Sequence, residues 1–434
     1  MIVYKIKFIK KMREWLDRPA AIVVSRFMQT VINMIIVLLI ARTLGPSGRG
    51  EAAATMAVLG IAPTLVGLGI PSVVRRQALT PEGARRCIAT VRSMAWLMLV
   101  PSVAIGFIAS QTVLSSLDST ATIIFIIAAI CTPLIVLWNC DSNVLYARGQ
   151  FAAMSFIQII SPITLLLSTS IFLVFGHLSV ATVLFGSALS PAATLAYTSW
   201  KVKIPLKSRR ESRMKLIRQS VKFVGAQLAS TIALRLDVAI ALPIVGAIQL
   251  GFYSVATSIA QLPIAFGYAY GAVVFQKLAK TSNQNDCKQI ISEEIRRSML
   301  LGILTSGVLA LITPMVIPVL FGPGFVSAIQ PTWIALIGSI GLVCANVFSS
   351  IFIYLGQGWT LSLAQTAGAV LGLGAIFVFA PMWASTGLAI ASTIGYLATA
   401  IWCGVKLSPS YSILIPDKTD IYHIFRGLTQ NSAS

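Results

Sequence analysis

The chain has few acidic residues, few histidines and no closely spaced cysteines. Its 434 residues include 13 Asp and Glu against 33 Lys and Arg, and only Asp141 and Asp237 lie clearly inside apolar stretches. Two carboxylates are too few for a proton relay of several acids or for a multi-carboxylate cation site. The two histidines, His177 and His423, are far apart, and no two of the six cysteines have C-x-x-C spacing. We therefore expect no metal site, no disulfide, no cofactor and no enzyme active site.

Charged residues of either sign are rare as well. They make up 11% of the chain, against 56% hydrophobic residues. Several apolar stretches of about 20 residues are long enough to cross a ~30 Å hydrocarbon core as helices. This composition excludes a soluble globular protein and predicts an all-α polytopic membrane protein. The predicted transmembrane helices are 20–42, 50–72, 93–112, 121–145, 150–174, 179–200, 222–243, 249–275, 298–320, 331–354, 359–380 and 383–405.

The cations are sorted into alternate gaps between these twelve helices. The gaps and termini that hold 29 of the 33 are 1–19, 73–92, the gap of Arg148, 201–222, 277–297 and 406–434. Because cytoplasmic loops retain Lys and Arg, both termini are predicted to be cytoplasmic. The opposite gaps are short, which argues against membrane glycosyltransferases, polymerases and ligases. The net charge of +20 is spread over six gaps without interleaved aromatics, so we expect anionic membrane lipids, and not nucleic acid, as partners.

Two halves of the chain repeat each other. Gly45 and Gly50, in the corner between the first two helices, pair with Gly246 and Gly251 at a separation of 201 residues. Weaker matches follow in the same order, as in transporters built from paired bundles. Each copy has six helices, an even number, so the second copy enters the membrane from the same side as the first. The copies are therefore predicted to be parallel six-helix lobes. The predicted parts are an N-terminal lobe with a surface lead helix, a basic cytoplasmic linker, a C-terminal lobe and a cytoplasmic tail, at 1–200, 201–221, 222–405 and 406–434.

Two arginines lie well within apolar stretches, where an arginine costs about 3 kcal/mol even on the lenient insertion scale. Arg235 and Asp237 are near the middle of the seventh helix, and their i, i+2 spacing places them about 200° apart, so they cannot form a same-face pair. Arg26 shares the first helix with Gln29 and Asn33 at i, i+3, i+7 spacing, which predicts a polar stripe. Binding in an aqueous cavity is one interpretation. The alternatives are a buried ion pair that fixes helix packing at Arg235 and Asp237, and snorkelling of Arg26 to the head groups.

Other polar residues lie near the predicted helix ends. The fourth helix ends in a polar cluster that contains Asp141, either the cytoplasmic mouth of a transport pathway or a helix-end network. Arg42 and Arg49 flank the outer corner between the first two helices, where we expect head-group contact or stabilisation of the corner.

At these residues the sequence resembles the polysaccharide exporters, the lipid-linked oligosaccharide flippases of a superfamily that also contains the multidrug extruders. The segments that carry the resemblance are ARTLGPSGRGEAA at 41–53, LGIPSVVRR at 68–76, LRLDVAIALPIVGAIQLGFYSVA at 234–256 and APMWASTGLAIAS at 380–392. The resemblance implies two six-helix bundles around a central cavity that opens alternately to each side. It also implies that membrane-embedded cations hold a diphosphate, a role that Arg26 and Arg235 match by position.

We therefore expect a flippase of a bacterial inner membrane that moves a lipid-diphosphate-linked oligosaccharide outward, driven by membrane potential or cation exchange. The candidate substrate-binding residues are Arg26, Gln29, Asn33, Arg235, Asp237 and Asp141. Its glycan would belong to a surface polysaccharide such as O-antigen, capsule or exopolysaccharide, and its partners would include glycosyltransferases or a polymerase of that pathway. The alternatives are a multidrug extruder of the same fold and a non-transporting scaffold for glycan-assembly enzymes.

Overall fold

α-Helices make up nearly all of the part of the chain that the structure describes. The computed structural model describes residues 20–203, 211–279, 281 and 284–407, and no β-strand occurs within these ranges. The all-α fold class is therefore confirmed. The predicted surface helix at 1–19, the centre of the predicted linker at 204–210 and the tail from residue 408 lie outside the described residues.

The helices follow one another with short connections. Within the described ranges they are α1 (Ala20–Gly67), α2 (Ile70–Gln77), α3 (Pro81–Met94), α4 (Leu99–Gln111), α5 (Ser119–Ile130), α6 (Thr132–Ala147), α7 (Phe151–Val174), α8 (Val180–Val202), α9 (Arg213–Ala260), α10 (Leu262–Ala279), α11 (Gln284–Leu320), a 3₁₀ turn (Pro323–Ala328), α12 (Ile329–Tyr354) and α13 (Gly358–Leu407).

Three of these helices contain a backbone break. In α1 it falls at Gly45 (φ 66°, ψ −170°) and in α9 at Gly246 (φ 77°, ψ 167°). This conformation is accessible essentially to glycine alone, because a side chain would clash with the adjacent backbone. Gly45 and Gly246 are the pair that the sequence repeat aligned, and they share one conformation. In α13 the break lies at Trp383 and Ala384.

The helices are long and apolar enough for a multi-pass membrane protein. Within the described ranges eight helical stretches meet this condition, and nine do if α3 and α4, bent by 52°, count as one span. Three of the stretches, Val24–Gly67, Arg235–Leu278 and Gly358–Leu407, have 44, 44 and 50 residues. That is about twice the ~20 residues that a bilayer needs, and each contains one of the breaks. The number of twelve crossings stays a prediction.

The chain forms two compact units. The N-terminal unit comprises the described residues 20–44 and 51–231, and the C-terminal unit comprises 45–50 and the described residues from 232 onward. The boundary lies inside α9, which begins within the predicted linker. Each unit has its own apolar core. Buried core side chains of the N-terminal unit include Val74, Cys87, Val144 and Leu145, and those of the C-terminal unit include Val274, Ile295, Val347 and Phe352.

Large apolar side chains are exposed along the helices of both units. On α7 the stripe consists of Leu167, Ile171 and Val174, and on α11 it consists of Val308, Leu311 and Met315. Each set has the i, i+3 or i+4, i+7 spacing of one helix face. Such continuous apolar faces are expected where a helix contacts hydrocarbon instead of water.

Candidate functional site

The first segment of α1, which ends at Gly45, is exposed on two sides of different chemistry. Successive side chains of a helix are rotated by about 100° around its axis, and on this basis one exposed side is apolar and covers about a quarter of the helix circumference. This apolar side consists of Val24, Phe27, Val31 and Ile35. A buried stripe beside it consists of Ser25, Ile32, Ile36 and Ile40. The apolar side is the surface expected to contact lipid, and the buried stripe packs into the N-terminal unit.

The other exposed side of this segment is polar. Arg26 and Asn33 are exposed and Gln29 is half-buried. Arg26 and Asn33 lie roughly 160° around the helix from the centre of the apolar side. The buried Ser25, next to this stripe, donates a hydrogen bond to Gln158 Oε1 on α7 at 3.4 Å. The polar residues are thus turned away from the lipid-facing side, as expected for a helix that borders water or a polar ligand.

Arg235 and Asp237 lie in opposite environments on α9. Arg235 is exposed, whereas Asp237 is buried with 8% of its surface accessible. No ion pair joins them among the described residues, in agreement with their 200° separation. A buried ion pair of either residue with another helix, the alternative for this position, stays a prediction. Like Arg26, Arg235 is an exposed residue of its helix.

The carboxylate of Asp237 is only half satisfied. Its Oδ2 accepts a hydrogen bond from the fully buried Tyr253 hydroxyl at 2.5 Å. Its Oδ1 is buried and has no hydrogen-bond partner in the described part of the chain. A buried carboxylate with a free oxygen suits a proton or a small cation. Sequence reasoning missed Tyr253, because its approach to Asp237 depends on the break at Gly246 between them.

Asp141 is at the centre of a satisfied network. Its side chain is 1% exposed and its two oxygens accept bonds from Arg92 at 3.3 and 3.2 Å. Oδ2 also accepts from the hydroxyls of Thr198 at 3.3 Å and Ser199 at 3.2 Å. The network joins α3, α6 and α8, so its geometry is that of an interhelical packing contact. The sequence predicts Arg92 only as one of the cytoplasmic cations, and its spacing does not identify it as the partner of Asp141.

The C-terminal unit contains a corresponding network around Glu294. This side chain is 2% exposed and accepts bonds from the hydroxyl of Tyr270, from Lys277 Nζ at 2.8 Å and from Arg297 at 3.1 Å. Arg297 also pairs with Glu293 at 3.1 Å. This cluster is not predictable from the sequence, because Glu294 lies in a basic gap whose cations are explained by membrane topology.

Comparison with known proteins agrees with this architecture. The sequence profile described as "Polysaccharide biosynthesis protein" matches residues 18–275, more than half of the chain. The chain belongs to this family. Among solved structures, the lipid II flippase MurJ in an inward closed conformation has a TM-score of 0.74 at 14% identity, with 93% of this chain and 90% of that chain covered. No curated protein sequence matches.

Members of the multidrug resistance MATE family share the fold of this polysaccharide biosynthesis protein. An inward-facing MATE transporter of the MOP superfamily has a TM-score of 0.63 at 18% identity, covering 94% of this chain and 96% of that chain. An outward-facing one has a TM-score of 0.59 at 17% identity, covering 96% and 98%. At these identities the likeness establishes the fold, and the expected resemblance to the exporter superfamily is confirmed.

Proposed function

We propose that this protein is a flippase that moves a lipid-diphosphate-linked oligosaccharide from the cytoplasmic to the outer leaflet of a bacterial inner membrane by alternating access, with both termini in the cytoplasm. The observation that carries the proposal is Arg26, an exposed guanidinium on the polar side of a helix whose opposite side is apolar. Membership of a polysaccharide biosynthesis family supports a glycan cargo. The shared fold of the lipid II flippase supports a lipid-linked one.

A diphosphate needs strong hydrogen-bond donors in order to leave water. Guanidinium groups replace its hydration with paired, charge-assisted hydrogen bonds, and they remain charged at any cellular pH. Arg26 supplies such a fork in the N-terminal unit, and Arg235 supplies one in the C-terminal unit. Gln29 and Asn33 add neutral donors along the same stripe as Arg26, so a bound head group can be held by one helix face.

The membrane potential can drive the cycle. Moving one negative charge outward across an inside-negative membrane is favourable by about 2.3 kcal/mol per 100 mV, while an emptied cationic site is drawn back inward. We therefore expect flipping to slow when the potential is collapsed at constant ion gradients. Unchanged flipping under that condition would rule out drive by voltage.

Exchange of a cation at Asp237 can add to this drive or replace it. The free Oδ1 and the adjacent Tyr253 hydroxyl form a buried oxygen pair to which a proton or a sodium ion can bind. In this arrangement the cation neutralises the carboxylate on the buried side of the helix that carries the exposed Arg235. Dependence of flipping on an inward proton or sodium gradient, lost in Asp237→Asn, is the expected sign.

A deletion strain tests the function in cells. Loss of surface polysaccharide with unchanged drug sensitivity is expected, with restoration by the wild-type gene and by Arg218→Ala but not by Arg26→Ala. Arg218 is a cytoplasmic-side cation on α9 and serves as the matched control for loss of one arginine. Normal polysaccharide in the Arg26→Ala strain would instead favour the scaffold, with glycosyltransferases or a polymerase as its partners.

The multidrug extruder is the second candidate. Two observations favour it: the MATE-like fold and a buried carboxylate with a free oxygen. The polar side of α1 argues against it, because within the described residues 20–44 this helix has no carboxylate to attract a cationic drug. Raised drug sensitivity of the deletion strain, with normal polysaccharide, would select this candidate.

A further inference from the structure

Arg49, in the corner between the two segments of α1, is a buried cation without a counter-charge. Its side chain is 6% exposed, its Nε is buried without a hydrogen-bond partner, and it forms no ion pair within the described part of the chain. Head-group contact and stabilisation of the corner, the two roles expected for Arg49, stay predictions. An unpaired buried guanidinium is costly, typically by several kcal/mol. An anion that binds there would offset this cost.

Arg49 lies where two helices begin in direct backbone contact. The second segment of α1 starts after Gly45, and the second segment of α9 starts after Gly246. A Cβ on Gly50 would lie 1.9 Å from the Ala247 carbonyl oxygen, and one on Gly251 would lie 1.9 Å from that of Pro46. The N-terminal ends of both helix segments are therefore adjacent.

Both of these helix starts carry positive partial charge. The unsatisfied N–H groups of a first turn make each helix N-terminus a site that favours anions. A basic residue in the first turn opposes this dipole and would be selected against if only stability mattered. At this corner the chain places an arginine in the first turn of one helix, next to Gly50, whose backbone contacts the start of the other. The three positive elements reinforce one another.

The repeat shows that packing does not require an arginine at this position. With the separation of 201 residues, Arg49 corresponds to Leu250, which is fully buried in its own corner. A leucine thus fills the equivalent place next to Gly251 just as Arg49 does next to Gly50. An apolar side chain is enough for packing at this position, so packing does not explain the guanidinium of Arg49.

From these observations we infer that the corner at Arg49 is a second anion site, on the predicted outer side of the membrane, that binds a phosphate group beside the two adjacent helix N-termini. The guanidinium fork and the first-turn amides are the donor set that recognises phosphate. The phosphate can come from a soluble anion, from a phospholipid head group, or from the diphosphate of a lipid-linked substrate that is leaving the protein. Only the last source rests on the proposed flippase function.

Binding of inorganic pyrophosphate to the purified full-length protein tests this inference. The measurement is made in the Arg26→Ala/Arg235→Ala background, so that the proposed transport site does not contribute. We expect Arg49→Leu in this background to weaken pyrophosphate binding by about tenfold or more, as for loss of a charge-assisted pair. Arg49→Lys should be intermediate because it keeps the charge without the fork. Arg42→Leu, an exposed cation in the same corner, should stay within about twofold because exposed charges contribute little.

The folding of Arg49→Leu is checked by its thermal unfolding midpoint, which should equal or exceed that of the parent without pyrophosphate, since a buried unpaired charge is removed. Pyrophosphate binding that is unchanged by Arg49→Leu in a folded protein would overturn the inference. Failure of the flippase proposal would be distinguishable, because the Arg26→Ala/Arg235→Ala protein would then bind and flip a lipid diphosphate normally.

Nanodiscs of different composition identify the source of the phosphate. In phosphatidylcholine discs, competition of pyrophosphate by added phosphatidylglycerol that depends on Arg49 would assign the site to lipid head groups. Competition by undecaprenyl diphosphate but not by phosphatidylglycerol would assign it to the substrate. Pyrophosphate binding that neither lipid displaces would assign it to soluble anions, and absence of Arg49-dependent binding in all discs would contradict the site.

Discussion

The buried charges of this protein fall into two groups that differ in how well they are paired. Asp141 accepts bonds from Arg92, Thr198 and Ser199, and Glu294 accepts bonds from three donors of its own unit. In contrast, Asp237 has one free oxygen and Arg49 has no partner within the described residues. The paired groups lie where α-helices of one unit meet. Of the unpaired ones, Arg49 lies four residues after the break at Gly45, and Asp237 lies nine residues before the break at Gly246.

This difference separates structural charges from functional ones. A buried charge with a full set of partners is retained because removal of any partner is costly. A buried charge without a full set is already costly in the folded state, and binding of a partner is one way to offset that cost. By this criterion Asp141 belongs to the structural group, although the sequence had placed it among the candidate binding residues, and its role in binding stays a prediction.

Removal of the main partner of a paired charge should have the largest effect. Arg92→Ala leaves the carboxylate of Asp141 buried and uncompensated, and we expect a loss of about 3–5 kcal/mol in the free energy of unfolding. The thermal unfolding midpoint of the purified protein measures this loss. The matched control is Arg86→Ala, six residues earlier, which breaks only an exposed pair with Glu82 and should cost less than about 1 kcal/mol.

A second variant tests whether charge is the cause. In the Arg92→Ala background, Asp141→Asn removes the uncompensated charge and should recover part of the lost stability. Equal midpoints for Arg92→Ala and Arg86→Ala would show that the Asp141 network does not stabilise the N-terminal unit, and the distinction between the two groups would fail.

Neutralising the carboxylate at the centre of the second network should have an intermediate effect. Glu294→Gln weakens the bonds from Tyr270, Lys277 and Arg297, with an expected loss of about 1.5–3 kcal/mol, the usual range for hydrogen bonds to charged groups. The neighbouring Glu293→Gln affects a more exposed carboxylate and should cost about 0–1 kcal/mol. Comparison of the two unfolding midpoints checks the prediction, and a larger effect at Glu293 would contradict it.

The same substitution at Asp237 should change stability least. Asp237→Asn keeps the shape and an acceptor for Tyr253 while it removes a half-satisfied charge, so we expect a change within about 1 kcal/mol in either direction. Asp141→Asn is the matched comparison and should cost clearly more. Asp237→Asn should nevertheless abolish the dependence of flipping on a cation gradient. A strongly destabilised Asp237→Asn protein would place Asp237 with the structural charges.

Much of this architecture was predictable from local sequence. Apolar runs of about 20 residues predict helices in a membrane, and Gly45 and Gly246 predict breaks because few other residues adopt their conformation. The polar stripe of Arg26 follows from helical spacing alone. The partners of the buried charges were not predictable. Arg92 and Asp141 are 49 residues apart, and Tyr253 approaches Asp237 only through the geometry of a break. Such contacts depend on packing between helices.

The burial of Arg49 was not predictable from the sequence either. A cation next to a predicted outer corner is expected at the surface, and only the close contact of Gly50 with Ala247 shows that this corner is covered. The alignment of Arg49 with Leu250 contained a clue, since one repeat carries a buried leucine at the position where the other carries a charge.

The rate of flipping in proteoliposomes tests the central claim, that exposed arginines at membrane depth bind the diphosphate. The substrate is a fluorescent undecaprenyl-diphosphate glycan, and a membrane-impermeant quencher reports its transfer between leaflets. We predict that Arg26→Ala and Arg235→Ala each slow flipping by about tenfold or more, as for loss of a charge-assisted bond. Arg26→Lys should be intermediate and Arg218→Ala should be unchanged. Wild-type rates in folded Arg26→Ala and Arg235→Ala proteins would contradict the account.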